Sequence, residues 1–480
     1  MSESWPNSGV DLHLELDPAT GRRAGLEQAL RAAVQTGRLA PQARLPATRK
    51  LADALGLSRG TVKAAYDQLI AEGYLTARQG SGTMVARLPH RTAEDPGGPP
   101  DRASDRASDR PRHDLRPGRP DASAFPTAAW LRSTRRALST EAADTYAYGD
   151  PRGRIELRTA LAEYLGRTRG VLAPPELIII TNGYVQALAL LSRVLGETAP
   201  AAIATEDPGV AFHRDVIRHN GPAVVPIPVD SRGARTDLLG DPSHPRVSAV
   251  ELTPAHQYPT GGTLAPERRR TLIEWARSSD CLVIENDYDG EFRYDRQPIG
   301  AIQGTAPDQV AYVGTVSKTL GPALRLGWIV SPRHLLEPLI EAKRHNDHHT
   351  ETIGQLTLAD FITCHAYDRH VRACRLRYKR RRDLLLARLR SRPHAPSGFS
   401  VHGVAAGLHV LISLPAGGPT EQDVLNAAAA QEVAVGRLGD RWHTPADQPH
   451  GIIVGYGTPS EHAYPAALDA LMHVLDVCRT

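Results

Sequence analysis

Between Gly314 and Gly327 the chain holds a single lysine, Lys318, within the small, hydroxyl-rich run Gly314-Thr315-Val316-Ser317-Lys318-Thr319-Leu320-Gly321. A single arginine, Arg325, follows seven positions later. A lysine that forms a Schiff base needs tight, dehydrated surroundings that hold it near an aldehyde carbon and favour its neutral amine. An arginine at that distance can return to the same pocket and clamp a phosphate through two parallel hydrogen bonds. Together these residues suggest bound pyridoxal 5'-phosphate.

Four other segments converge on that one. Thr181-Asn182-Gly183-Tyr184 follows the apolar run Leu177-Ile178-Ile179-Ile180 and opens a helix, whose free N–H groups suit an anion. Such strand–glycine–helix joints are common connections, so Gly183 and Tyr184 carry little weight alone. Glu206-Asp207-Pro208-Gly209, the loop Thr253 to Gly261, and Glu285-Asn286-Asp287-Tyr288 each end a further strand. Ligands of open α/β sheets gather at these carboxyl ends. Tyr148-Gly149-Asp150-Pro151-Arg152-Gly153 is expected to edge the pocket.

The strands in question are short apolar runs near residues 177–180, 201–204, 223–227, 247–252, 281–285 and 310–313, alternating with helical patterns. That alternation predicts a mostly parallel sheet covered on both faces. The runs Leu408 to Ile412 and Gly451 to Gly455 predict a smaller α/β subdomain from about residue 395.

The N-terminal part has a different grammar. Leu26, Leu30 and Val34 recur at helical spacing between Gly21 and Gly37. Thr48 is placed to cap a short helix through Leu55, and Ser58 to cap another from Arg59 to Glu72. Strands at 74–78 and 83–86 flank the turn Gln79-Gly80-Ser81-Gly82, giving three helices and a hairpin, the winged helix-turn-helix layout. A recognition helix beginning Ser58-Arg59-Gly60-Thr61 presents its first residues to a major groove. Arg49 and the glycine-rich wing tip hold the backbone to either side. Residues 11–90 carry 11 Lys/Arg against 7 Asp/Glu, an excess equal to the net +4 of all 480 residues. A basic module on a near-neutral remainder fits a nucleic-acid reader. The same layout also serves protein contacts, with Arg59 merely on a solvated face.

Residues 88–120, with the repeat Asp101-Arg102-Ala103-Ser104-Asp105-Arg106-Ala107-Ser108, have almost no apolar side chains and are expected to form a flexible linker. The domains expected are therefore 11–87, 88–120 and 121–480. Hydrophobic residues at 41% and charged residues at 23% are ordinary for a globular protein. The first residues do not read as a signal peptide, no apolar run suggests a membrane span, and four scattered cysteines fit a cytoplasmic setting. His345, His348 and His349 lack companions that would complete a metal site, and the basic run Arg375 to Arg382 reads first as a solvated helix face.

Leu45-Pro46, Arg49, Leu51-Ala52, Leu55-Gly56, Ser58-Arg59, Thr61-Val62, Ala65-Tyr66, Glu72-Gly73-Tyr74-Leu75 and Gly80-Ser81-Gly82-Thr83 together resemble the GntR type of winged helix. The segments around Lys318 resemble fold-type I aminotransferases, and the whole chain resembles MocR-type regulators, which fuse the two. The resemblance implies operator binding on double-stranded DNA through Arg49, Ser58, Arg59, Thr61 and Gly80. It implies a Schiff base at Lys318, phosphate contacts from Arg325, Thr315, Gly183 and Tyr184, a hydrogen bond from Tyr288 to the ring hydroxyl, and a homodimer.

Three positions depart from the aminotransferase pattern. Asn286 stands where an aspartate usually pairs with the pyridine nitrogen; either the adjacent Asp287 compensates or carbanion chemistry is weak. Val210 replaces a stacking aromatic residue. The arginine expected near the C-terminus for a substrate carboxylate is replaced within Ile452-Ile453-Val454. The leading expectation is a regulator that senses pyridoxal phosphate itself, controlling vitamin B6 synthesis, or an amino compound. The missing arginine inclines towards the first. A working aminotransferase with an accessory DNA-binding domain is the alternative.

Overall fold

Leu26, Leu30 and Val34 lie on one face of helix α1 (Arg22–Gln35), and all three are buried against Leu51, Val62, Tyr66 and Leu69. The latter belong to α2 (Thr48–Leu55) and α3 (Arg59–Ala71), which an antiparallel hairpin follows: β1 (Leu75–Arg78) and β2 (Gly82–Val85). In the computed structural model the residues described are 21–78, 82–87, 111–140, 143–197, 201–295, 299–391, 399–415 and 417–478. They divide into two units, Met1–Asp109 and Arg110–Thr480.

The first unit is the winged helix expected. Each of its buried Leu or Val side chains contributes roughly 1.5–3 kcal/mol on leaving water, enough together to hold three short helices. The Tyr66 hydroxyl donates to the Pro46 carbonyl at 3.0 Å, fixing α3 against the segment before α2. Gly56 ends α2 at φ +62, a left-handed turn that suits glycine. One local expectation fails. Thr48 is the first helical residue of α2, not its cap; Ala47 occupies the cap position and no side chain caps the end.

In the second unit eight strands form one sheet in the order β4-β11-β10-β9-β8-β5-β6-β7. They are β4 (Ile178–Thr181), β5 (Ala202–Asp207), β6 (Ala223–Asp230), β7 (Gly233–Ala234), β8 (Ala249–Leu252), β9 (Leu282–Asp287), β10 (Val310–Thr315) and β11 (Gly327–Val330). Six of these are the runs read from the sequence. Two are not: the two-residue edge strand β7 and β11, which is antiparallel to both β4 and β10. Its direction follows from the short connection, residues 316–326, which cannot carry a parallel crossover of a dozen or more residues. Thr315 therefore pairs with Gly327, and the loop that holds Lys318 and Arg325 leaves and re-enters the sheet at the same end. That geometry explains why one lysine and one arginine seven residues apart serve one pocket.

Buried side chains cover both faces of the sheet: Leu157, Leu161 and Phe361 on one side, Leu188, Leu191 and Leu339 on the other. The smaller subdomain is a four-stranded sheet, β12-β13-β16-β15, packed on the helices Ala366–Arg390 and Tyr464–Val477. Here β12 is Ser400–His402, β13 is His409–Ser413, β15 is Gly436–Arg437 and β16 is Gly451–Gly455. The linker expected to reach Pro120 ends earlier. His113–Asp114 form a short strand, β3, beside β14 (Val433–Ala434), and Leu115 is fully buried in the subdomain's core. Two paired residues leave too little pattern to recognise in a Pro- and Arg-rich sequence. Residues 88–110 of that linker lie outside the described residues.

Candidate functional site

The reader's site residues sit at the start of α3. Ser58 caps the helix, its Oγ accepting from the Thr61 N–H at 3.0 Å and lying 2.9 Å from the Thr61 hydroxyl. Arg59, the first helical residue, and Arg49 on α2 are exposed. Elsewhere in this unit Arg23, Arg31 and Lys63 are paired with Glu27, Glu72 and Asp67. Among the described residues Arg49 and Arg59 make no such pair, which leaves their charge for an anion. Gly80 lies outside the described residues. Arg44, which the sequence did not single out, bridges to Met84 on the wing and lies against Gly82, 3.2 Å from where a Cβ would stand.

The second unit holds a cavity of about 780 Å³ at the carboxyl ends of β5, β8, β9 and β10. Tyr184, Asn286, Tyr288, Thr315, Lys318 and Arg325 all line it, so spacing and topology converge as expected. Gly183 is the cap of the helix Tyr184–Gly196, at φ +79 and ψ 179, a conformation that only glycine adopts readily. A Cβ there would stand 3.1 Å from the Arg325 guanidinium. Arg325 itself donates to the Asn182 carbonyl. A cation and the unpaired N–H groups of a helix start thus share one small space.

Lys318 donates to the Gly118 carbonyl at 2.7 Å. Burial holds its ammonium below the usual lysine range, with the Asp289 charge opposing. Thr315 faces the cavity, but its hydroxyl proton is committed to the Leu326 carbonyl at 3.0 Å. Ser317, 2.8 Å from the Thr315 oxygen, also lines the cavity and was not anticipated. Tyr288 lies 3.3 Å from both the ring nitrogen and the carbonyl of His256, whose Nδ1 is 2.7 Å from Asp289. Burial pushes the Tyr288 phenol well above its ordinary value, so it remains a proton donor.

Asp287 does not substitute for Asn286. Successive side chains on β9 point to opposite faces. Asp287 is held by Arg169 at 2.7 Å and by the Tyr312 hydroxyl at 2.7 Å, away from the cavity. Asn286 instead donates its amide to Glu251 Oε1 at 3.1 Å, and its Oδ1 is buried without a partner. Glu251 also accepts from Tyr184 at 2.7 Å and lies 3.4 Å from His213. Burial works to raise the Glu251 pKa, but hydrogen bonding and charge from His213, with Tyr184 and Asn286, hold it below the usual carboxylate value. A second carboxyl, Glu206, is pushed up to about 8 by burial. Both acids escaped the sequence reading, although a carboxylate inside a buried strand is a signal in itself. Val210 lines the cavity as expected, while His213 stacks on Tyr184 with ring centroids 4.7 Å apart. The loop expected at the pocket edge is not part of the lining: Tyr148 is exposed and packs on His348.

Two families match the chain. Residues 119–440 match aminotransferase class I and II, and residues 22–85 match the bacterial regulatory proteins of the gntR family. The chain is 34% identical over 462 residues to the probable rhizopine catabolism regulatory protein MocR of Rhizobium meliloti, covering 93% of this chain and 92% of that one. It is 31% identical to the HTH-type pyridoxine biosynthesis transcriptional regulator PdxR of Corynebacterium glutamicum, covering 94% and 96%. Among solved structures, Pyrococcus horikoshii kynurenine aminotransferase, in complex with PMP, superposes with a TM-score of 0.69 at 25% identity. The match covers 78% of this chain and 93% of that one.

Proposed function

This chain belongs to the MocR-type family, a gntR-family winged helix joined to an aminotransferase class I and II domain, and from that premise we propose that it is a transcription regulator whose DNA binding depends on pyridoxal phosphate. Lys318 carries the reading: a partly buried lysine held below its usual pKa, in one cavity with Arg325 and the glycine-capped helix start, in the same chain as a DNA reader.

The residues present fit the cofactor. Gly183, Tyr184, Ser317 and Arg325 would hold its phosphate, since an added Cβ at Gly183 would crowd the space the anion and guanidinium share. Lys318 would hold the aldehyde carbon, Tyr288 the ring hydroxyl, and the unpartnered Asn286 Oδ1 a ring N–H. When bound, the group supplies an electrophilic carbon that exchanges one amine for another. The neutral Asn286 holds a ring proton less firmly than a carboxylate would, which favours sensing over the aminotransferase alternative. Tyr288 keeps its proton at the ring edge, and Arg325 neutralises charge without consuming it.

Regulation follows as a population shift: occupancy of the cavity alters the second unit and hence how two readers of a homodimer meet two half-sites. The test is fluorescence anisotropy on DNA from upstream of the neighbouring genes, with and without added pyridoxal phosphate. A change in affinity is expected for the parent. Identical curves refute the reading. Rapid release of keto acid from amino donors would instead favour the enzyme.

A further inference from the structure

We propose, resting on that regulator reading, that Arg441 is the anion anchor of an effector site beside Lys318, and that the effector is an amine bearing a carboxylate. Arg441 ends the short turn Gly439–Arg441 between β15 and β16 and lines the same cavity as Lys318. Its guanidinium lies over the Tyr258 ring, 5.6 Å from the centroid. Among the described residues that guanidinium has no hydrogen-bond or ion-pair partner, and its Nε is buried.

The other arginines of the cavity are occupied. Arg116 and Arg119 are on Asp114, Arg437 is on Glu421, and Arg325 is on the Asn182 carbonyl. Leaving a buried donor unmade costs about 1–3 kcal/mol, so the Arg441 Nε marks a place where an acceptor belongs.

The location is specific. Gly436 on β15 pairs with Ile453 on β16, and Leu438 and Ile453 share an apolar cluster with Tyr258 and Trp442. Ile453 lies in the stretch of strand where the aminotransferase pattern puts its carboxylate-binding arginine. Here the cation reaches the cavity from the adjacent turn instead. Tyr258 links it to the reactive end: the His409 ring is 5.0 Å from Tyr258. Burial, then His256, and then the Lys318 and Arg441 charges hold His409 well below its usual value. An amine directed at the Lys318 position therefore finds a partly buried, unpaired planar fork for a carboxylate across one aromatic ring. Asp440, on the same turn, also lines the cavity, and among the described residues it forms no ion pair with Arg441.

The test uses the full-length protein loaded with pyridoxal phosphate, titrated with amino acids from glycine to 6-aminohexanoate and followed by the cofactor's visible absorbance and by calorimetry. Parallel arms use the alkylamines lacking the carboxylate and the fatty acids lacking the amine. At least one amino acid is expected to bind about tenfold more tightly than its alkylamine. Arg441→Gln should erase that preference, Arg441→Lys should retain part of it, and both should load the cofactor like the parent. Equal binding of amino acid and alkylamine by the parent overturns the proposal without any variant, as does unchanged preference in Arg441→Gln. Failure of every amino acid to bind overturns it too. If DNA binding still answers to pyridoxal phosphate in that case, the regulator reading survives; if it does not, both fall.

Discussion

Asn286 donates its side-chain amide to Glu251 at 3.1 Å, so the carboxylate of this part of the cavity sits one strand away from the position where it would face a bound ring directly. The amide nitrogen can only donate and Glu251 can only accept, which leaves Oδ1 as the free acceptor. Asp287, spent on Arg169, cannot take over.

Asn286→Asp would place two carboxylates within hydrogen-bonding distance in a buried site. Like charges raise the folded-state pKa of one of them, so its stabilising neutral form is present at low pH and lost as pH rises. The gap from the parent is expected to be smaller near pH 5 than at pH 8, where it reaches about 1–3 kcal/mol. Bound pyridoxal phosphate, offering a ring N–H, should narrow the gap. Denaturant melts at both pH values check this; a gap independent of pH would contradict it.

Gly183→Ala puts a methyl group 3.1 Å from the Arg325 guanidinium at a backbone conformation that favours glycine. Strain of about 1–3 kcal/mol and a displaced arginine should weaken cofactor binding about tenfold or more. Absorbance titration measures this, and unchanged affinity would remove Gly183 from the phosphate site. DNA binding by cofactor-free protein should be unaffected.

The raised pKa of Glu206 has a stability consequence. Its folded value, about 8, exceeds that of an exposed glutamate, so its contribution is complete at low pH and is lost as pH rises through about 8. Glu206→Gln cannot ionise. Its unfolding free energy should therefore fall less than the parent's between pH 6 and pH 9, a difference on the order of 2 kcal/mol. Parallel pH profiles would show that Glu206 is ionised throughout.

Arg59→Ala should cost about 1–3 kcal/mol of DNA affinity if the side chain reads a base, with discrimination lost at one position. Cofactor binding should be unchanged. Ser58→Ala removes a helix cap and should lower the reader's stability by about 1 kcal/mol. Anisotropy on matched and scrambled sites separates the two effects. An Arg59→Ala loss that is equal on all sequences would assign the residue to phosphates.

Much of this site was legible because its chemistry is local in sequence. Lys318 and Arg325 share one loop, Ser58 to Thr61 share one helical turn, and Asn286 and Tyr288 share one strand end. What sequence spacing cannot show is the meeting of distant strands. Glu251 joins Asn286 only because β8 lies beside β9, and His213 joins them from a separate helix. The strand β11 was missed because four residues carry little pattern, although its return direction sets the Lys318–Arg325 geometry. Arg441 was hidden for a related reason: the turn that carries it is built by pairing β15 with β16.

The central claim is that Lys318 couples the cavity to DNA binding, and one measurement tests it most directly. Operator affinity of the parent and of Lys318→Ala is titrated with and without pyridoxal phosphate, with the visible absorbance of each protein recorded in parallel. The parent is expected to show a cofactor band and a change in DNA affinity, and Lys318→Ala to lose both while still binding DNA in its cofactor-free state. A cofactor response of equal size in Lys318→Ala would contradict the coupling.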